Sequence, residues 1–345
     1  MPKHLFNGKN ILITGGAGSL GHALVKKLIE FEPKVIRIFD IGENALFEMQ
    51  NDFPQQNLRF LVGDIRDRQR LDMAMKDIDI VFHLAALKHV MSCEYNPFEA
   101  VKINILGTQN VVESAMQHDV EKVIYTSTDK ATNPSNSMGV TKLAAERLVT
   151  SANYYKGKSR TIFASVRFGN VIGTNGSVIP VFRKQISEGG PITVTEPSMT
   201  RFLLTPESAL KVVFRCAELS SVGETFLLKM PVMKIGDLAE VMREEVSPTY
   251  GFRPEDIKIK PISIKPGEKL YEELVTEEES TRTIESEDMY IILPQIKELI
   301  SEKYNIDFSK YYHGKKAGFD TYRSDKVKAL SKEELKDILK KEGLI

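Results

Sequence analysis

Apolar and polar positions in the first half of the chain come in two alternating rhythms. Short branched apolar runs at 11–13, 35–39, 58–62, 80–84, 123–125 and 163–166 are separated by longer stretches whose apolar residues recur at helical spacing. Strands alternating with helices predict an α/β fold, a Rossmann-type doubly wound parallel sheet with helices on both faces. The stretch after Pro97 places Val101, Ile105, Val111 and Val112 on one expected buried stripe. Beyond Arg167 the rhythm breaks. Gly169, Gly173, Gly176, Gly189, Gly190 and Pro191 punctuate short segments, with helices expected near 178–187 and 207–219. The expected division is a dinucleotide-binding core over 1–168, to which parts of 169–235 return, a smaller substrate-binding lobe over 169–300, and a tail over 301–345. That tail ends in a helix opened by the capping box Ser331/Glu334 ahead of Leu335, Ile338 and Leu339.

Between the first strand and the first helix stands Thr-Gly-Gly-Ala-Gly-Ser-Leu-Gly, 14–21. Its glycines let the backbone turn and approach a pyrophosphate at a helix N-terminus, so Gly15, Ala17, Gly18, Ser19 and Leu20 are the expected contacts. Asp40 ends the second strand, where a carboxylate binds the ribose hydroxyls of NAD and repels the extra phosphate of NADP. NAD is therefore the expected cofactor. Asp64 and Ile65 after the third strand, and Ala85 and Ala86 after the fourth, are placed to flank it.

Composition narrows the function further. In 345 residues, 47 basic and 47 acidic side chains cancel, which argues against nucleic acid or anionic lipid as a partner. Cys93 and Cys216 are too few for a disulfide framework, and no Cys/His cluster has metal-ligand spacing. No charged-then-apolar leader precedes Ile11 and no apolar run approaches the roughly 20 residues of a membrane span, so a soluble cytoplasmic protein is expected.

The fifth strand runs into Ser-Thr-Asp-Lys-Ala, 127–131, which sets Thr128, Asp129 and Lys130 at a strand's carboxyl end beside the glycine loop. Further motifs follow in order: Ala-Ala-Leu-Lys-His-Val at 85–90, Glu-Tyr-Asn-Pro at 94–97, Met-Gly-Val-Thr-Lys at 138–142, Arg-Phe-Gly-Asn-Val at 167–171, Gly-Ser-Val-Ile-Pro at 176–180, Met-Thr-Arg-Phe at 199–202 and Lys-Pro-Gly-Glu-Lys-Leu at 265–270. Together, up to about Pro294, they resemble the extended short-chain dehydrogenases/reductases, and within them the UDP-N-acetylglucosamine 4,6-dehydratases of polysaccharide biosynthesis.

The resemblance implies oxidation at sugar carbon 4, loss of water across carbons 5 and 6, and return of the hydride to carbon 6. It makes Lys130 the base at carbon 5, Asp129 the acid for the leaving hydroxyl, Thr128 a hydrogen-bond donor to the carbon 4 oxygen and Lys142 the holder of the nicotinamide ribose. Lys130 then needs burial or a nearby cation, Lys142 being one, to lower its pKa. Many relatives carry a tyrosine four residues before that lysine; this chain has Met138, leaving Asp129, or water relayed toward Lys142, to accept the carbon 4 hydroxyl proton. For a UDP-N-acetylhexosamine substrate the resemblance implies Lys88, Glu94, Asn96, Asn170, Ser177, Val178, Arg201 against the diphosphate, Lys265 in place of a common arginine, and Glu268 on a ribose hydroxyl. Asp40 and the 266–274 run resemble the retaining branch more closely. A 4-epimerase and a non-catalytic dinucleotide sensor are the alternatives. The resemblance also implies a homodimer or higher homo-oligomer, formed through helices over 97–118 and 138–155. His83 reads as a core histidine and His89 receives no chemistry.

Overall fold

The computed structural model describes residues 3–174, 177–264, 267–295, 308 and 312–345. Six parallel strands, β1 (Asn10–Thr14), β2 (Val35–Asp40), β3 (Leu58–Val62), β4 (Ile80–His83), β5 (Lys122–Thr128) and β6 (Ile162–Phe168), lie in the order 3-2-1-4-5-6. They coincide with the six apolar runs. In β1, Ile11 and Ile13 enter the core on one face while Leu12 enters the core on the other, as the two-residue strand period requires.

The sheet continues beyond β6. Thr225–Leu228 joins it in parallel, followed by Met289–Ile292, Thr283–Glu285 and Lys315–Lys316 as antiparallel strands, ten in all. A second lobe has its own core, in which Ile179, Phe182, Leu238, Met242, Leu335 and Leu339 are buried together. The terminal helix Lys332–Lys341 carries the capping box read from Ser331 and Glu334, and packs into this lobe. Tyr322–Arg323 pairs with Glu273–Val275, so the last part of the chain is woven through both lobes.

One helix departs from expectation. Residues Val101–Gly107 form a π-helical turn, and Val101 and Ile105 are only half-buried while Asn104 is buried. The wide turn rotates the stripe: Asn104, Thr108, Val111 and Val112 face inward. Asn104 Oδ1 accepts from Leu87 N at 2.8 Å, and its Nδ2 donates to Leu87 O and to Thr141 Oγ1, both at 3.0 Å. A polar residue thereby fixes the chain just after Ala85 and Ala86.

Arg167, fully buried at the end of β6, donates to Glu146 and Glu279 and to the Leu274 carbonyl. It ties the segment around 272–280 to helix Ser137–Tyr155 beside the end of β6.

Candidate active site

Strand order reverses between β1 and β4, where ligands of open α/β sheets bind. A cleft of about 590 Å³ opens there at the carboxyl ends. Gly15 has φ +68°, and a Cβ on it would stand 2.6 Å from Ala85 N, so the loop closes on Ala85 only as glycine. Gly18, Ser19, Leu20, Asp64, Ile65, Ala85 and Ala86 line the cleft beside it. Asp40 lines it too, accepting from Ala17 N at 3.1 Å and Gly42 N at 2.9 Å. Ala17, expected among the contacts, has its amide taken by Asp40 and lies outside the lining. Arg37 points away, donating to the Ala74 and Lys76 carbonyls. Asp64 pairs with Arg66 at 2.6 Å.

Thr128, Lys130, Met138 and Lys142 meet across the same cleft. Helix Ser137–Tyr155, capped by Asn136, reaches the 129–131 turn because Gly139 has no side chain: a Cβ there would lie 2.2 Å from Lys130 O. Lys142 is buried; its Nζ donates to Thr126 O at 2.6 Å and stands 4.2 Å from the Tyr125 ring centre. Burial brings its pKa down to about 7 against the opposing pull of Glu146. Met138, one helical turn before Lys142, is buried against Cys93 and Ala100.

Asp129 lies behind Thr128, only 1% exposed. Its Oδ1 accepts from Thr128 Oγ1 at 2.9 Å and from Lys130 Nζ at 3.0 Å. Lys130 does not have the lowered pKa expected of it. Burial acts in that direction, but Asp129 and Glu272, the latter 3.5 Å from Nζ, outweigh it and raise the ammonium above its ordinary range. Nor is Lys142 among the groups that move it. Glu272 is the residue that reading by motif missed; Tyr-Glu-Glu at 271–273 gave no sign of which carboxylate turns inward.

The expected sugar-side residues divide. Lys88, Asn170 and Ser177 line the cleft, as does His89, and Val178 starts helix Val178–Ser187 at its edge. Glu94 instead accepts from Ser137 N at 2.6 Å, and Asn96 Nδ2 donates to Ser92 O, so both carry local structure outside the lining. Arg201 is buried, donating to the Thr200 and Lys269 carbonyls and lying 3.6 Å from Glu272; it too is outside the lining. Glu268 is exposed, and Lys265 lies outside the described residues. His83 is a satisfied core residue between Thr14 and Thr108, and burial pulls its pKa to about 3.

Residues 11–294 match the family described as polysaccharide biosynthesis protein. The chain belongs to that family. It is 41% identical over 342 residues to a UDP-N-acetylglucosamine 4,6-dehydratase (inverting) of Campylobacter jejuni, covering 97% of this chain and 98% of the relative. A UDP-glucose 4-epimerase of Rickettsia canadensis is 37% identical over 339 residues, 97% of this chain and 96% of the relative. Among solved structures, Pen from Bacillus thuringiensis superposes with a TM-score of 0.91 at 47% identity, covering 99% of both chains. The motif resemblance to extended short-chain dehydrogenases/reductases and the observed strand order agree with this family. No helix among the described residues is long and apolar enough to cross a membrane.

Proposed function

We propose that this protein is a cytoplasmic, NAD-dependent UDP-N-acetylglucosamine 4,6-dehydratase that makes a 4-keto-6-deoxy sugar nucleotide for surface glycan synthesis. The observation that carries this reading is the Thr128–Asp129–Lys130 array at the cleft, beside a Met138 that has no proton to exchange. The Campylobacter jejuni relative supports the substrate class.

The cleft fits a dinucleotide. Gly15 packs against Ala85, Gly18, Ser19 and Leu20 line the cleft at the start of helix Ser19–Ile29, Asp40 supplies the ribose acceptor, and Arg37 is turned away from any 2′-phosphate, which supports NAD over NADP. When bound, the nicotinamide supplies reversible hydride uptake from carbon 4 and its return to carbon 6. Lys142 holds the nicotinamide ribose.

Thr128 relays the carbon 4 hydroxyl proton: its Oγ1 gives its own proton to Asp129 Oδ1 and takes the sugar's. Asp129, now an acid, protonates the departing carbon 6 hydroxyl. Lys130 removes the carbon 5 proton as its neutral amine. Lys88, Asn170 and Ser177, which line the cleft, hold the sugar nucleotide. The inverting outcome named for the relative favours inversion at carbon 5 over the retaining branch that Asp40 and the 266–274 run resemble.

Phe98, Leu106, Val140 and Tyr155 are exposed on the helices expected to pair, which supports a homodimer. Sedimentation at micromolar concentration tests it. The Rickettsia relative favours a second reading, 4-epimerisation of a UDP-sugar. Incubation with UDP-N-acetylglucosamine separates the two: a dehydratase releases water, and an epimerase yields the galacto isomer.

A further inference from the structure

The proton inventory of the dehydratase reading, on which this inference rests, has a gap. Asp129 receives the carbon 4 proton, yet Lys130 must also shed one before it can attack carbon 5. Among the described residues, Asp129 and Glu272 are the carboxylates within 4 Å of Lys130 Nζ, at 3.0 and 3.5 Å. Asp129 is already filled.

We propose that Glu272 is a positioning residue that acts through Lys130, taking its extra proton before elimination and releasing it when the cycle closes. Glu272 is 3% exposed, and its Oε2 has no hydrogen-bond partner. Its backbone is fixed by Ser324, whose Oγ accepts from Glu272 N at 2.9 Å and whose N donates to Glu272 O at 2.9 Å. The neighbouring Leu274 carbonyl is held by Arg167. The charged groups that act on it are Lys130 and Asp129 from the turn after β5, Arg201 from strand Thr200–Leu204, and Lys269 from its own segment. Burial raises the Glu272 carboxyl above its ordinary value despite those cations, which readies it to hold a proton.

The steps balance. Asp129 and Glu272 begin as carboxylates and Lys130 as ammonium. The carbon 4 hydroxyl proton reaches Asp129 through Thr128. One Lys130 N–H bond then breaks as a Glu272 O–H bond forms, giving a neutral amine and a neutral acid. Lys130 takes the carbon 5 proton, the carbon 6–oxygen bond breaks, and Asp129 protonates the leaving oxygen to water. After carbon 6 is reduced, a water molecule gives carbon 5 a proton from the face opposite Lys130, which keeps the proton it took, and Glu272 passes its own proton to the hydroxide left behind. All three groups end as they began, and the net change is loss of water.

Glu272→Gln keeps the shape and removes the proton store, while Glu272→Asp keeps a titratable carboxyl. With the full chain and UDP-N-acetylglucosamine in deuterated water, Glu272→Gln is expected to cut turnover at neutral pH roughly 100-fold. A 4-keto sugar that still has its carbon 6 hydroxyl should accumulate, and the residual rate should climb with pH as Lys130 loses its proton to solvent instead. Glu272→Asp should recover most of the rate and the wild-type pH profile. A Glu272→Gln rate within about twofold of wild type, with an unchanged profile, overturns the proposal; so does equal loss of carbon 4 oxidation and elimination. Wild-type protein that never releases water removes the dehydratase reading, and this proposal with it.

Discussion

Lys142 Nζ stands 4.2 Å from the centre of the Tyr125 ring, so the cation expected to hold the nicotinamide ribose is itself seated on a buried aromatic face. The same burial lowers its pKa from 10.5 to about 7. The unfolded chain keeps this proton up to about 10.5 while the folded chain releases it near 7, so unfolding takes up a proton between those values and stability rises with pH there. Denaturant titrations of wild type and Lys142→Met, from neutral to mildly alkaline pH, should show wild type gaining up to about 1.4 kcal/mol per pH unit relative to the variant. A constant difference across that range contradicts the lowered pKa.

The proposed mechanism gives Lys130 and Lys142 different tasks, and single substitutions should separate them. Lys130→Ala is expected to lower dehydration by roughly 100- to 10,000-fold while leaving NAD affinity within a few-fold of wild type. Product formation and calorimetric titration with NAD measure the two. Near-normal turnover removes Lys130 from the chemistry.

Much of this arrangement was legible in the sequence, because strands and glycine loops obey local rules. The six apolar runs became β1 to β6, and the turn at Gly15 closed on Ala85 across the strand-order reversal, with the carboxylate of Asp40 lining the same cleft. What stayed hidden depends on contacts between distant segments. The π-helical turn at Val101–Gly107 moved Asn104 into the stripe meant for Val101 and Ile105, and spacing alone carries no sign of it. Lys130 sits beside Glu272, 142 positions away, which joins the adjacent Asp129 in reversing the expected direction of its pKa. Arg201, Glu94 and Asn96 were chosen by motif, but each spends its side-chain contacts on nearby backbone in this structure.

Gly139 should be intolerant of even one methyl group. A Cβ 2.2 Å from Lys130 O forces the helix and the Asp129–Ala131 turn apart. Gly139→Ala should destabilise the protein by about 1–3 kcal/mol and depress turnover more than NAD binding. Unchanged thermal stability with full activity contradicts the packing described.

Arg167 is the buried clamp between helix Ser137–Tyr155 and the segment around 272–280. Arg167→Met leaves Glu146 and Glu279 facing each other without their cation, and should cost about 3–5 kcal/mol by chemical denaturation. In the wild type, Arg167 outweighs the effect of burial and holds Glu279 at about 2, below its usual 4.5. A depressed carboxyl stabilises the fold fully above 4.5 and loses that contribution as pH falls toward 2. Acid unfolding in that window should be shallower in the variant; identical acid profiles contradict this.

The most direct test of the central claim is NMR of wild-type protein with NAD and UDP-N-acetylglucosamine in deuterated water. The account predicts a 4-keto-6-deoxy product with deuterium at carbon 5, inverted configuration there, and no net change in the cofactor. UDP-N-acetylgalactosamine formed without loss of water, or product with its carbon 5 proton retained, would contradict it.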